Sequence, residues 1–394
     1  MIPYGRQTIS EKDVEAVAKV LRSDWLTQGP WVKRFEERLA ECCGARFAVA
    51  VSSGTAALHL ACLAAGIGPG DCVAVPTLTF VASANCALYC GGQPVLADVD
   101  SKTLILNSQS LAAIRPRQKK WKAVIPVHFA GLPCDMEEIQ RWARQEGALV
   151  IEDACHALGA RWKDSRGVWH RVGDCSCSDL TCFSFHPVKH ITTGEGGAIL
   201  TNNPELYAKL EVLRTHGITK DPGRLIRCDG GWYYEMQALG FNYRITDFQC
   251  ALGFSQLDEL PAWVARRRAI ADRYREAFCS LCYMAFQDEP PGFESSYHLF
   301  VVRVPRRREV FQRLREKGLG VQVHYIPMHL QPYYQERLGY RAGDFPSAES
   351  YYEAAISLPV FPAMTDEEVK TVITLVQETA QELGIETARP SIAE

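Results

Sequence analysis

Apolar residues along this chain change their period again and again. From Ser10 to Arg22, Val14, Val17, Ala18 and Leu21 repeat at helical spacing behind a serine suited to capping, and a second helix is expected from Trp31 to Cys42. Beyond it, short apolar runs alternate with helical patterns: Phe47 to Val51, Asp71 to Pro76, Pro94 to Ala97, Ala123 to Val127, Ala148 to Ile151 and Gly197 to Thr201. Such runs between helices predict a mainly parallel sheet covered by helices, an α/β architecture. Several runs end in Ser52-Ser53-Gly54, Asp98 or Glu152-Asp153, so ligand chemistry is expected beyond the carboxyl ends of the strands.

After Gly253 the pattern shifts. Leu257 to Phe278 reads as one linking helix carrying Arg266-Arg267-Arg268. His298 to Val304 and Gly320 to His324 read as strands, and Arg308 to Lys317 and Asp366 to Leu383 as helices, giving a smaller α+β unit. The expected division is therefore a large domain over 1–253 and a small C-terminal domain over 254–394, with 388–394 as a loose tail. No internal repeat or low-complexity tract interrupts it.

The chain has 394 residues, 47% of them hydrophobic, enough for a sizeable core. A net charge of −3 argues against a surface built for nucleic acid or anionic membrane, and leaves small molecules as the expected partners. No apolar run approaches the ~20 residues that span a bilayer, and Met1 to Arg6 has no apolar signal core, so a cytoplasmic protein is expected. Fifteen scattered cysteines fit reduced thiols better than a disulfide framework. Cys175, Cys177 and Cys182 with His170 lack the paired spacing of a zinc module, so no metal is expected.

The candidate chemistry centres on Lys189, in Phe183-Ser184-Phe185-His186-Pro187-Val188-Lys189-His190-Ile191-Thr192-Thr193-Gly194-Glu195-Gly196-Gly197. A lysine holds a carbonyl compound as an imine only if its amine sheds a proton near neutral pH, which desolvation and neighbouring charge encourage. Asp153 follows an apolar run and reads either as a helix cap or as a carboxylate at the mouth of the sheet; Lys189, beyond another strand, favours the second. In pyridoxal phosphate chemistry such a carboxylate keeps the pyridine nitrogen protonated. Ser52-Ser53-Gly54-Thr55 leaves a strand and opens an alanine-rich helix, which suits a phosphate and equally suits a helix cap. Ser184 adds a hydroxyl. Phe80 reads as a ring for stacking or as a core aromatic. His156 is placed to touch a cofactor hydroxyl, whereas His186, His190 and His324 read as structural.

Together, Trp25 to Pro30, Ser52 to Leu58, Thr77 to Phe80, Glu152 to Ala157, Ser184 to Gly197 and Gly240 to Leu252, in that order, resemble the DegT/DnrJ/EryC1/StrS sugar aminotransferases over nearly the whole chain. The resemblance implies the aspartate-aminotransferase fold and pyridoxal 5'-phosphate bound covalently to Lys189. It implies Asp153 on the pyridine nitrogen, Phe80 near the ring, and Gly54, Thr55 and Ser184 on the phosphate. It also implies a homodimer in which Asn242 reaches the partner's phosphate, and places Tyr4, Tyr325 and His329 at the sugar site. L-glutamate is the implied amino donor and a nucleotide-linked keto sugar the acceptor. The form around His186 to Gly197 is most like the members that aminate UDP-4-keto-6-deoxy-N-acetyl-L-altrosamine on the way to pseudaminic acid. Because Lys189 is kept where dehydratases of the family carry histidine, transamination is implied over dehydration; the alternatives are amination of another UDP-, dTDP- or GDP-4-keto-6-deoxy sugar, a pyridoxal-phosphate-dependent sugar dehydratase, and a pyridoxal-phosphate-binding regulatory protein.

Overall fold

In a computed structural model, residues 1–115 and 120–385 are described, so the expected tail lies outside the described residues. The centre is a seven-stranded sheet formed by β1 Phe47–Val51, β2 Cys72–Pro76, β3 Gln93–Ala97, β4 Trp121–Val124, β5 Leu149–Asp153, β6 Leu180–Ser184 and β7 Gly197–Thr201, in the order β1-β7-β6-β5-β4-β2-β3. Strands β2 to β6 pair in parallel, and β7 runs antiparallel to β1 and β6. The reversal matters for the site. Gly197, at the start of β7, sits opposite both Val51 and Ser184, so the ends of β1 and β6 and the entry to β7 meet at one sheet edge.

The sheet lies in a continuous apolar core that includes the nearly all-buried helix Gly54–Ala64. A capping box fixes the first helix, Glu11–Leu21, at Ser10 and Asp13. The linking segment is two helices, Asp247–Leu257 and Leu260–Phe278; Pro261 sits in the first turn of the second, where its missing N–H costs nothing. Leu260 and Val264 join the sheet core, while Ile270, Tyr274 and Phe278 join a second core with Phe300, Val302, Ile356, Leu358 and Val372. That second core lies against the antiparallel strands Ala285–Phe286, Phe300–Arg303 and Ala355–Leu358. Of the strand expected from Gly320 to His324, Gln322 makes an isolated bridge to Ser357, and Gly320 joins Leu319 in a short strand, Leu319–Gly320, that pairs in parallel with Ile2–Pro3. That pairing carries the start of the chain, and Tyr4 with it, toward the sheet edge.

Among the described residues no helix is long and apolar enough to cross a membrane, and no group of three or more His, Cys, Asp or Glu is arranged to hold a metal. His170 instead bonds Asp174 at 2.8 Å and stacks on Trp162.

Candidate active site

A cavity of about 430 Å³ opens at the carboxyl edge of the sheet. Its lining brings together nine of the residues singled out above: Gly54, Thr55 and Ser184 on one side, Phe80 at the mouth, Asp153 and His156 at the base, and Lys189, Tyr4 and Tyr325 around the rest. Asn242 and His329 are not in that lining. Asn242 is exposed on the loop before Asp247–Leu257. His329 is buried between Thr77 Oγ1 at 2.7 Å and Glu349 at 2.8 Å.

The helix Gly54–Ala64 points its N-terminus into the cavity. Ser53 caps it, its Oγ accepting from Ala56 N at 3.1 Å, so capping and cavity lining occur in the same turn. Gly54 is required by closeness: a Cβ there would meet Ser184 Cβ at 2.8 Å. Free amides, the Thr55 hydroxyl and Ser184 thus converge at the positive end of a helix, an arrangement suited to phosphate.

Asp153 and Glu152 part company because alternate strand residues face opposite sides of a sheet. Glu152 turns away to His128 Nε2 at 2.7 Å and to Thr181 Oγ1 at 2.9 Å. Asp153 faces the cavity floor, its two oxygens accepting from Ser83 Oγ at 2.5 Å and Cys155 N at 3.1 Å. It ends a strand and caps no helix. Phe80 is 53% exposed with its ring 5.8 Å from that of Tyr325, which removes the core-aromatic reading.

Lys189 is partly exposed, yet protein crowds its amine. Burial pushes that amine below its ordinary value; Cys155 and Asp153 pull it back, and Arg267 adds to the lowering. His156 is driven well below the ordinary histidine range, chiefly by burial with Lys189 adding, so its ring is neutral; its Nε2 meets Tyr325 OH at 3.0 Å. Burial raises the Tyr325 hydroxyl, which stays protonated as a donor.

Sequence reasoning gave His298 no role, and it set aside His186 and His324; all three line the cavity, as do Ser53, from the turn read as suiting a phosphate, and Glu195, from the segment around Lys189. For His298 the one signal was a histidine at the head of the apolar run Leu299 to Val302.

The residues present fit pyridoxal phosphate. The helix end with Ser184 suits its phosphate, the buried amine suits its aldehyde, and the fixed carboxylate suits a protonated ring nitrogen. His156, which lines the same cavity, has a buried Nδ1 without a protein partner among the described residues.

Comparison with known proteins agrees. The model of the DegT/DnrJ/EryC1/StrS aminotransferase family matches residues 7–377. The chain belongs to that family. The spore coat polysaccharide biosynthesis protein SpsC of Bacillus subtilis strain 168 is 40% identical over 385 residues, 96% of each chain. Helicobacter pylori PseC, an aminotransferase involved in the biosynthesis of pseudoaminic acid, superposes with a TM-score of 0.87 at 29% identity, covering 97% of this chain and 99% of PseC. Spr1654 of Streptococcus pneumoniae, in its PLP form, gives a TM-score of 0.87 at 31% identity, over 97% of this chain and 99% of that one. The protein is therefore a sugar aminotransferase that uses pyridoxal phosphate, with the fold of that enzyme class.

Proposed function

We propose that this enzyme transfers the amino group of L-glutamate to the C4 ketone of a nucleotide-linked 6-deoxy sugar, UDP-4-keto-6-deoxy-N-acetyl-L-altrosamine, in pseudaminic acid biosynthesis. The observation that carries the coarser part is the buried Lys189 amine sharing one cavity with Asp153 and a helix N-terminus. The finer part is supported by the likeness to PseC over nearly the whole of both chains and by the run His186 to Gly197.

Pyridoxal phosphate, when bound, supplies an electrophilic aldehyde and a ring that withdraws electrons from the amino-bearing carbon. In this reading Gly54, Thr55 and Ser184 hold its phosphate, Asp153 pairs with its ring nitrogen, His156 approaches its ring hydroxyl, and Phe80 lies against the ring. Lys189 Nζ is the attacking amine and, once freed, the base that lifts the proton from the α-carbon of glutamate. The same Nζ then delivers a proton to one face of the sugar carbon, fixing the configuration of the new amine. Tyr4 and Tyr325 line the sugar side, whereas His329, bonded to Thr77 and Glu349, lies outside the lining.

The reading includes a homodimer. Lys189 is the one lysine or arginine among the described residues lining the cavity, although glutamate and a nucleotide diphosphate are both anionic. Ile226 (90% exposed), Trp232 and Leu239 leave apolar side chains exposed along the segment that leads to the exposed Asn242, which supports a second copy covering this segment and Asn242 reaching the partner's phosphate. The large part through 253 binds the cofactor, and the part from 254 closes the substrate side. The reading also has the enzyme work in the cytoplasm.

The test loads the protein with pyridoxal phosphate and glutamate, then offers a panel of UDP-, dTDP- and GDP-4-keto-6-deoxy sugars, with the amino sugar read by mass spectrometry. Amination of the altrosamine derivative in preference to the others supports the proposal. Preference for another sugar corrects the substrate, and consumption of a sugar without 2-oxoglutarate release would reveal a dehydratase.

A further inference from the structure

His298 Nε2 lies 3.4 Å from Lys189 Nζ. The histidine is 4% exposed, and its Nδ1 has no protein partner among the described residues. The loop that carries it is held from several directions. Arg267, buried on the helix Leu260–Phe278, donates from Nη1 to the carbonyls of Tyr297, His298 and Val360 at 3.3, 3.4 and 2.8 Å. Tyr297 takes left-handed backbone, φ 46°, and a Cβ on Gly131 would meet Tyr297 N at 2.8 Å. Ser296 Oγ donates to His156 O at 3.2 Å, and the His156 ring lies 4.3 Å from that of His298. Backbone held in a sparsely populated conformation persists where its surroundings over-determine it, and such places gather at functional sites.

We infer that His298 is a positioning residue for Lys189: its Nε2 accepts an N–H from the lysine and holds Nζ in one place through both the amine and the ammonium state. This rests on the reading of Lys189 as the reacting amine. An acceptor can be served by either state, because amine and ammonium both carry N–H donors, and the lone pair of the amine stays free for attack or for lifting a proton. The arrangement requires the Nδ1–H tautomer, which leaves a buried donor without a protein acceptor. That is unfavourable for a histidine serving only the core. His190 shows the contrast, since its Nε2 donates to Ser296 O at 3.2 Å. The groups facing the pair are Asp153 and Cys155 beside Lys189, Arg267 behind the loop, His156 and His190 on the flanks, and His324 across the cavity, neutral like those two histidines. Burial, with Lys189 and His156 adding, holds the His298 ring well below the ordinary histidine range, so it remains a neutral acceptor while the lysine titrates.

The experiment follows the rate at which apo protein takes up pyridoxal phosphate covalently, as a function of pH and with no amino donor present. Titration of free pyridoxal phosphate is common to all variants and cancels. Hydrogen bonds to charged groups are the stronger ones, so removing the acceptor weakens the ammonium more than the amine. His298→Phe should lower the midpoint by about one pH unit, a tenfold change worth ~1.4 kcal/mol. His298→Gln, whose Oε1 offers an acceptor, should restore most of it. An unmoved midpoint in His298→Phe overturns the inference, as does a shift that His298→Gln leaves uncorrected. Should His298→Phe not fold, His298→Ala gives the same decision: a lowered midpoint raised by free imidazole supports the inference, and an unmoved midpoint overturns it. Failure of the underlying reading would show separately, as covalent uptake surviving in Lys189→Ala.

Discussion

Ser83 Oγ stands 2.5 Å from Asp153 Oδ2, and Thr79 Oγ1 lies 2.7 Å from the same hydroxyl. The three form a buried chain that aims the carboxylate into the cavity, with Cys155 N holding the other oxygen. A carboxylate fixed on both oxygens cannot swing away from the ring nitrogen it is proposed to meet.

Ser83→Ala should therefore loosen the cofactor, and it should also lower fold stability modestly, because the buried Thr79 hydroxyl loses the partner it has in Ser83. Deleting a hydrogen bond to a charged group removes ~1.5 kcal/mol, or about a tenfold rise in the dissociation constant. Equilibrium binding of pyridoxal phosphate checks this, with thermal unfolding of the apo protein as the control.

Gly197→Ala should damage the phosphate side. A Cβ at Gly197 would meet Ser53 O at 2.5 Å and Gly54 N at 2.8 Å, both backbone atoms at the head of the helix Gly54–Ala64. Overpacking of this kind costs roughly 1–3 kcal/mol. The expected result is a lower melting temperature together with weaker binding of pyridoxal phosphate and of inorganic phosphate; unchanged phosphate binding would remove the helix end from the site.

Stability should fall as the solution is acidified from neutral. His156, His190 and His298 sit well below the ordinary histidine range, mainly through burial, and His324 is lowered to about 4. Below pH ~6.5 the unfolded chain binds protons that the folded one refuses, so each such histidine removes up to ~1.4 kcal/mol per pH unit. For His324 the loss runs from pH ~6.5 down to about 4, and above pH ~6.5 its contribution is complete. Melting temperatures across pH 8 to 5 check the sign; a flat profile below pH 6.5 would contradict it.

Much of this was legible in the order of residues, for reasons that particular elements make plain. The runs Phe47 to Val51 and Gly197 to Thr201 match β1 and β7 end for end because strands buried on both faces must be continuously apolar. The strand Leu180–Ser184 is harder to see, since Thr181 interrupts its apolar pattern, its buried hydroxyl bonded to Glu152. The linking helix expected from Leu257 starts at Leu260, because Leu257 closes the preceding helix Asp247–Leu257 and is as apolar as the residues that follow. In the site, Lys189, Asp153 and Ser184 belong to recognisable local strings, whereas His298 owes its place to Arg267, Gly131 and a left-handed Tyr297, contacts between segments far apart in the chain. Such long-range support leaves no local pattern to read.

Lys189→Arg should abolish covalent attachment of the cofactor, because a guanidinium stays protonated and is a poor nucleophile. The phosphate side is untouched by this change, so non-covalent binding should persist, measurable as quenching of protein fluorescence without the absorbance of the lysine-bound cofactor.

The most direct measurement is borohydride reduction of the protein loaded with pyridoxal phosphate, followed by peptide mass mapping. The label should fall on the peptide containing Lys189, and glutamate added before the borohydride should prevent it by converting the cofactor to its amine form. Label on any other lysine, or label at Lys189 that glutamate leaves in place, would contradict the assignment of Lys189 as the amine that performs the transfer.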